Sequence, residues 1–588
     1  MDTSRRIRIS LLSLWLFSFL VLGRLFYWQI LKTDELASAA AKQHLDVLEI
    51  PAQRGQFFAS DNFPFVTNQE VYLLYVSLSE IGKDFESVAQ ELAPILVDEQ
   101  MNDLVKTATA SGITAEEVQE LIKIKEEEIK QQFLRQDVSW LPIQHKISRE
   151  AKEKIEAMRI GGLGFEREQK RTYPEGTASA HLMGFVGSDV NGKPKGYFGL
   201  EGFYDLELQG HPGYLKREKD ASGKPILLGI SQREDKRDGR SLLTSLDRTL
   251  QFIVENRLKQ ALAKYGAISG SVLIIDPGNG AVLAMVSLPT YDPSIYSEFD
   301  EKIFLNPAVA SSYEPGSTFK VLIMAAAVNE GVIGPETQCT SCGGPVEIAG
   351  YTINTWNNQY YPNSTATDIL VHSDNLGMVF VGRQLGIKKL HAYLKKFGLG
   401  QLTGIDLQEE DTVSLRLEKE WREIDLATAS FGQGIAVTPI QMLRAVSVIA
   451  NGGKLVKPFI VKGVIDQGKT TMIEPEMGKT VLKGSTAKTL TEMMVAAVER
   501  GEAKWTKPTG FLVAGKTGTA QIPVAGHYDR DKTIASFIGF APAQQPRFAM
   551  LVTLREPTSS PWGSETAAPL WFDIAKELFT YYGISPTK

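Results

Sequence analysis

The sequence holds few of the residues that most often bind transition metals, with seven histidines and two cysteines among 588 residues. The histidines do not recur at ligand spacing, and Cys339 and Cys342 have no second ligand pair, which a structural zinc site would need. We therefore expect no metal and no cofactor. The Cys-x-x-Cys pair also lacks the strand–helix–strand context of a redox motif, so it predicts either a local disulfide or two inert thiols.

An excess of charge of one sign is also missing. Lysine and arginine number 63 against 69 aspartates and glutamates, which gives a formal net charge of −6. Without a sustained basic stripe, the chain does not resemble a nucleic-acid-binding protein. Tandem repeats and low-complexity segments are absent as well. The composition, 43% hydrophobic and 22% charged, is that of a globular protein with a large core, and the length favours two to four domains.

The N-terminus carries the signals of a membrane anchor. Arg5, Arg6 and Arg8 precede an apolar segment that reaches spanning length over residues 9–31. Arginines before a span favour a cytoplasmic N-terminus, with the rest of the chain outside. A cleaved signal peptide is the alternative, and Ala37-Ser38-Ala39 resembles a cleavage site, although it lies far beyond the apolar run.

The remaining patterns predict a mixed α+β protein. Residues 69–137 are interpreted as mainly helical and charged, and the glycine-rich residues 165–210 as short strands and tight turns. A helix is expected from Arg248 to about Tyr265. Further strands are expected at 271–276 and 281–288, which flank a Pro-Gly-Asn-Gly turn, and at 510–520, 534–540 and 548–554, with a last helix at 567–582. This order favours an antiparallel sheet packed with helices, in which the first and last segments pair.

One short motif stands out before an apolar, alanine-rich helical run. Ser317 follows Pro315-Gly316 and is therefore expected near a helix start, and Lys320 lies three residues later on the same face. A lysine can activate a serine if burial and neighbours lower its pKa. Alone, Ser-x-x-Lys is more often a capping serine and a solvated lysine.

Two later motifs change that balance. The first is Ser373-Asp374-Asn375, which alone would be a turn or a helix cap. The second is Lys516-Thr517-Gly518-Thr519, which alone would be an edge strand whose glycine avoids a clash. Together and in this order, the three motifs match the signature of penicillin-recognising serine acyltransferases.

Acyl transfer explains the residue types in the first two motifs. Ser317 is the predicted nucleophile and Lys320 the base that takes its proton. Ser373 is expected to relay a proton between Lys320 or Lys516 and the leaving amine. Asn375 is expected to hydrogen-bond the substrate amide. His372 adjoins this motif but is interpreted as local packing, because lysine fills the role of base.

The third motif has the residue types that a substrate carboxylate needs. Lys516 supplies a positive charge, and Thr517 and Thr519 supply hydroxyl donors. Gly518 allows a substrate strand to approach closely. The backbone N–H groups of Ser317 and Thr519 are the predicted oxyanion donors.

Nearly the whole chain resembles a class B penicillin-binding protein, a monofunctional peptidoglycan D,D-transpeptidase. Besides the motifs, the resemblance rests on Arg54-Gly55, on the stretch from Arg171 to Gly202, on Phe431-Gly432-Gln433-Gly434 and on Asn451-Gly452-Gly453. It implies an N-terminal transmembrane helix, an elongated β-rich pedestal of the dimerisation type and a C-terminal transpeptidase domain. The predicted limits are 1–8 for the cytoplasmic tail, 9–31 for the anchor, 45–215 for the pedestal, 216–240 for a linker and 241–585 for the transpeptidase domain.

The resemblance also implies the ligands and partners. The substrates would be stem peptides ending in D-Ala-D-Ala, β-lactams would block Ser317, and a polytopic membrane glycosyltransferase and other wall-synthesis proteins would bind the anchor and pedestal. A septal role is favoured over an elongation role. A D,D-carboxypeptidase, a β-lactamase and a non-catalytic scaffold remain the alternatives.

Overall fold

The computed structural model describes residues 3–37, 45–78, 80–81, 84–106, 114–134, 140–218, 226, 231–524 and 527–586. The chain divides into two compact units, Met1–Arg54 with Gln209–Gly239 and Gly55–Leu208 with Arg240–Lys588. Within the predicted linker, residues 219–225 and 227–230 lie outside the described residues, as do Ser38 and Ala39 of the cleavage-like sequence. The domain limits given above stay predictions.

The first unit begins with the apolar helix. Helix α1, Thr3–Phe26, continues into one π-helical turn, Tyr27–Leu31. In the described part of the chain it is the one helix long and apolar enough to cross a membrane, and its side chains are exposed. The Arg24 guanidinium lies over the Trp28 ring, 5.3 Å from the ring centre. This helix fits the predicted anchor at residues 9–31.

The elements between the anchor and residue 244 alternate strands and helices. They are β1 Leu45–Ile50, β2 Phe57–Phe58, β3 Pro64–Ser77, α2 Phe85–Lys106, α3 Ala115–Phe133, β4 Trp140–Ile147, α4 Arg149–Ala157, β5 Leu163–Thr172, α5 Ala180–Met183, β6 Phe185–Ser188, β7 Pro194–Tyr197, α6 Gly199–Phe203, α7 Asp205–Gln209, β8 Gly213–Glu218, β9 Ser231–Glu234 and β10 Ser241–Thr244. In the first unit, β1, β8 and β9 form an antiparallel three-stranded sheet.

The interpretation of residues 69–137 as mainly helical is wrong at its start. Residues 69–77 belong to the long strand β3, which pairs with both β4 and β5. The run Val71-Tyr72-Leu73-Leu74 is apolar without alternation because both faces of the strand are buried. The helical interpretation extended to this run the charged helical pattern of the residues that follow it. The two charged helices, α2 and α3, follow as expected.

Strand β10 joins distant parts of the chain into one sheet of the second unit. It runs parallel to β2 and antiparallel to β16, Val461–Asp466. The sheet order is β17-β16-β10-β2-β3-β4, where β17 is Lys469–Met472, and β5 is also paired to β3. The motif glycine Gly55 lies beside this junction, where a Cβ atom would come 1.8 Å from the Arg240 carbonyl oxygen. Its place in the Arg-Gly motif therefore has a steric reason.

The rest of the second unit contains the two-sided core that positions the site. Its elements are α8 Arg248–Tyr265, β11 Ser269–Ile275, β12 Val282–Leu288, α9 Pro307–Ala310, α10 Lys320–Asn329, β13 Val346–Ile348, β14 Tyr351–Ile353, α11 Ala366–Val371, α12 Asn375–Leu385, α13 Ile387–Lys396, α14 Glu423–Ser430, α15 Pro439–Ala450, β15 Lys454–Val456, β16 already given, β17 Lys469–Met472, β18 Met477–Thr480, α16 Gly484–Arg500, β19 Ala514–Val524, β20 His527–Ala541, β21 Phe548–Arg555 and α17 Ala567–Tyr581.

Five of these strands form an antiparallel sheet in the order β12-β11-β21-β20-β19. Strand β11 pairs with β21, so the predicted pairing of the first and last segments is confirmed. Side chains of β11 alternate between two cores: Val272 and Ile274 pack with α8 and α17, and Leu273 and Ile275 pack with the core that contains α10. The α+β class and the helix-covered antiparallel sheet are therefore confirmed.

Candidate active site

Ser317 lies in a 3-10 turn, Gly316–Phe319, that leads directly into the buried helix α10. It is half-buried between the buried residues Gly316 and Thr318. Gly316 has φ +55°, and its N–H donates to the carbonyl oxygen of Gly432 at 3.1 Å. The expectation that Ser317 stands at a helix start is thus confirmed, and the segment around Gly432 supports the turn from outside.

Lys320 is fully buried, and its ammonium faces the second motif. Its Nζ donates to the Ser373 carbonyl oxygen at 2.6 Å, to Asn375 Oδ1 at 2.8 Å and to Ser373 Oγ at 3.3 Å. Among the described residues, Lys320 Nζ and Ser317 Oγ form no hydrogen bond in this state. The structure therefore brings Lys320, Ser373 and Asn375 into direct contact, with Ser317 one turn away.

Burial lowers the pKa of Lys320 to about 7, because an ammonium in the interior loses its hydration. The positive charge of Lys516 lowers this pKa further, whereas the negative charges of Asp374 and Glu502 raise it. A lysine with a pKa near neutrality can be without its proton at physiological pH, so it can accept one.

The second motif is both a helix cap and part of the site. Asp374 is the N-cap of α12, and its Oδ1 accepts from the backbone N–H of Leu376 at 2.9 Å. Ser373 has φ +55°, a left-handed conformation that turns its carbonyl oxygen and hydroxyl to Lys320. Burial raises the pKa of Asp374. The second motif therefore caps a helix, as its sequence alone predicts, and also contacts Lys320 in the candidate site. Next to them, the His372 ring stacks on Tyr361, with 4.1 Å between ring centres.

The third motif lies on β19, the edge strand of the five-stranded sheet. Lys516 is buried, and burial lowers its pKa, against the charge of Glu502. Its Nζ donates to Thr517 Oγ1 at 3.0 Å. A Cβ atom on Gly518 would come 2.5 Å from Ser536 Oγ and 2.7 Å from Thr318 Cγ2. Taken alone, the third motif predicts an edge strand whose glycine avoids a clash. Both features are present, and they lie within the candidate site.

Thr519 connects the edge strand to a loop near the C-terminus. Its Oγ1 accepts from the backbone N–H of Gly563 at 3.0 Å. The adjacent Trp562 ring meets Trp356, with 5.0 Å between ring centres at an angle of 60°. Trp356 in turn lies beside the second motif, since its indole N–H donates to the His372 carbonyl oxygen at 3.4 Å. The two tryptophans thus link the side of the second motif to the side of the third.

Three residues of this region were not predicted from the sequence: Glu502, Trp356 and Trp562. No motif or spacing marks them, and they meet the site only because loops far apart in the chain converge there. The cysteine pair, by contrast, was predicted as one of two alternatives, and Cys339 and Cys342 form a disulfide.

The arrangement supplies the parts that acyl transfer needs. A hydroxyl stands at a helix start, a buried lysine has a pKa near neutrality, and a second buried lysine lies on an edge strand with two hydroxyls. The roles of the individual residues remain predictions.

Family models match most of the described chain. A model of the penicillin binding protein transpeptidase domain matches residues 270–579, and a model of the penicillin-binding protein dimerisation domain matches residues 49–244. The first match alone covers more than half of the chain.

Similar proteins extend over nearly the whole chain. Stage V sporulation protein D of Bacillus subtilis is 31% identical over 572 residues, which cover 96% of this chain and 84% of that protein. The peptidoglycan D,D-transpeptidase FtsI of Escherichia coli is 27% identical over 569 residues, covering 96% and 90%. Penicillin binding protein 3 of Mycobacterium tuberculosis, solved in complex with aztreonam, has a TM-score of 0.67 at 25% identity and covers 92% of this chain and 99% of that structure.

Proposed function

The chain belongs to the class B penicillin-binding proteins, and on that premise we propose that it is a membrane-anchored peptidoglycan D,D-transpeptidase blocked by β-lactams. In the reaction, Ser317 Oγ attacks the carbonyl carbon of the penultimate D-alanine of a stem peptide. The peptide bond breaks, terminal D-alanine leaves with the proton taken from Ser317, and an ester remains. An amine of a neighbouring strand then attacks this ester, forms the cross-link and returns the serine hydroxyl.

The state of Lys320 carries this proposal. Lys320 is buried one turn after Ser317, contacts both Ser373 and Asn375, and has a pKa of about 7. A charged lysine in the same place could not accept a proton, and a solvated one would hold its proton at neutral pH.

The remaining residues take the roles that their chemistry suits. Ser373 relays the proton toward the leaving amine, and Asn375 binds the substrate amide. Lys516 and a threonine hydroxyl of the third motif bind the substrate carboxylate, and the backbone N–H groups of Ser317 and Thr519 stabilise the oxyanion.

The proposed location is the outer face of the cytoplasmic membrane. The arginines before the helix favour an N-terminus inside the cell, which leaves the catalytic residues outside, where peptidoglycan is built. A polytopic glycosyltransferase and other wall-synthesis proteins are the proposed partners. A septal role is the proposed one, and an elongation role is the alternative.

Covalent labelling by a fluorescent penicillin tests the proposal. The label on the wild-type chain should persist for many minutes, and Ser317→Ala should take up no label. Ser312→Ala is the matched control, because Ser312 is exposed and lies five positions before the nucleophile. Rapid release of the label would favour a β-lactamase, and a folded wild-type chain that takes no label would favour the scaffold.

A second measurement separates the transpeptidase from the carboxypeptidase. Donor peptides ending in D-Ala-D-Ala are supplied with and without an amine acceptor, and released D-alanine and cross-linked product are quantified. A transpeptidase incorporates the acceptor in proportion to its concentration. Release of D-alanine to water alone, with no product even at high acceptor concentration, would contradict the proposal.

A further inference from the structure

Glu502 faces the third motif although it belongs to none of the three. It lies two residues after the end of α16, and its Oε2 accepts the hydroxyl proton of Thr517 at 3.1 Å. Thr517 Oγ1 at the same time accepts from Lys516 Nζ at 3.0 Å. The three side chains therefore form a continuous chain from ammonium to hydroxyl to carboxylate.

The single proton of a threonine hydroxyl gives this chain a direction. Because the Thr517 proton points to Glu502, its lone pairs face Lys516, and it has no second proton to donate to a substrate carboxylate. Thr519 is arranged in the opposite way. Its Oγ1 accepts from the Gly563 N–H at 3.0 Å, so its own proton remains available. The sequence predicts that both hydroxyls bind the substrate. In the structure, the Thr517 hydroxyl links Lys516 to Glu502, and the Thr519 hydroxyl keeps a proton that it can donate.

We propose that Glu502 is a positioning residue for acyl transfer, which fixes the ammonium of Lys516 through the Thr517 hydroxyl and leaves Thr519 to bind the substrate carboxylate. This inference rests on the proposed function, because it assigns a role within the same site. Glu502 touches no reacting atom. It acts on the orientation and the charge of Lys516.

Two lysines interact electrostatically with Glu502. They are Lys516 of β19 and Lys320 at the start of α10, and Lys320 also interacts with Asp374, which in turn interacts with His372. The carboxylate of Glu502 raises the pKa of both lysines above the value that burial alone would give, and Asp374 also raises the pKa of Lys320. Removal of the Glu502 charge should therefore make both lysines lose their protons at lower pH.

The pH profile of acylation measures this effect directly. The rate should rise as Lys320 becomes neutral and fall as Lys516 loses its proton, so each limb reports one lysine. In Glu502→Gln, which keeps an acceptor oxygen but no charge, both limbs should move to lower pH. The falling limb should move further, by about one pH unit, because one hydroxyl separates Glu502 from Lys516.

The experiment compares fluorescent-penicillin acylation rates of the full chain between pH 5 and pH 10. Glu492→Gln removes the same charge from an exposed position of α16 and should leave the profile unchanged. Thr517→Val should slow acylation about tenfold by removing the hydroxyl link, and Thr517→Ser should restore it.

Each outcome decides the inference. A shift of both limbs in Glu502→Gln, together with rescue by Thr517→Ser, supports it. If Glu502→Gln acylates more slowly but both limbs of its pH profile stay in place, Glu502 has only a structural role. If the pH profile of Glu502→Gln equals that of the wild type, Glu502 has no role in acylation. A wild-type chain that is not labelled at any pH refutes the proposed function, and with it the premise of this inference, whereas labelling without a shift refutes the inference alone.

Discussion

Replacing Gly432 by alanine should displace Ser317 without changing any of the three motifs. A Cβ atom at this position would lie 2.1 Å from the carbonyl oxygen of Gly316 and 2.8 Å from Phe319 Cβ. Ordinary contact requires that the two segments separate by about 1 Å. Because a misplacement of about 1 Å can cost roughly 100-fold in rate, we expect acylation of Ser317 to slow by about that factor.

A matched glycine separates this displacement from backbone strain. Gly432 has φ +82°, and Gly331 has φ +71° but no atom within 4 Å of its Cβ position. Alanine at either site should cost about 1 kcal/mol of stability for the left-handed conformation. Only Gly432→Ala should also move the turn of Ser317.

The assay is the second-order rate constant of acylation by a fluorescent penicillin, with thermal unfolding of each variant as the companion measurement. Gly331→Ala should acylate at the wild-type rate. If Gly432→Ala acylates within threefold of Gly331→Ala while remaining folded, the support of the turn by this segment is not what places Ser317.

Three further predictions follow from charge and packing. The pKa of Lys320 is about 7 in the folded protein, because of burial, and about 10.5 in the unfolded chain. Between pH 7 and pH 10 the free energy of unfolding of the wild type should therefore rise relative to that of Lys320→Met, by up to about 1.4 kcal/mol per pH unit in denaturant titrations. Equal pH dependence of the free energy of unfolding in the two proteins would disprove the lowered pKa. Arg171→Met should lower the free energy of unfolding by about 3–5 kcal/mol, because it removes the guanidinium 2.6 Å from the fully buried Glu201 carboxylate, and a loss below 1 kcal/mol would contradict this. Acylation by a bulky penicillin should change the tryptophan fluorescence that arises from the Trp356–Trp562 contact. Trp562→Phe should abolish most of that change. An equal fluorescence change in the variant would show that the signal comes from other tryptophans.

The sequence predicted the local elements of the catalytic region well where pattern and turn chemistry agree. The helix expected from Arg248 to Tyr265 has those bounds, and the hairpin around Pro277-Gly278 forms as β11 and β12. In both cases a strong signal, either a capping aspartate before the helix or a glycine-rich turn, fixes the element locally. The strand β3 was missed because its hydrogen-bonding partners β4 and β5 lie more than 60 residues away in the chain.

The sequence predicted the residue types of the candidate site and one of its connections. Motif order predicts Ser317, Lys320 and the lysine of the third motif as site residues, because acyl transfer requires those groups, and the expected proton relay already pairs Ser373 with Lys320. The contact of Lys320 with Asn375 and the link from Thr517 to Glu502 depend on side-chain directions that no spacing encodes.

The sheet that joins β2, β10 and β16 has a consequence for how the protein is made. Strand β2 ends at residue 58, but the strand beside it starts at residue 241 and the next one at residue 461. As a chain emerges from the ribosome, β2 must wait for about 400 further residues before this sheet can close, and such long-range pairing is slow. A fragment that begins at residue 241 would leave the β10 edge without its natural neighbour and invite aggregation, whereas one that begins at residue 55 retains that partner.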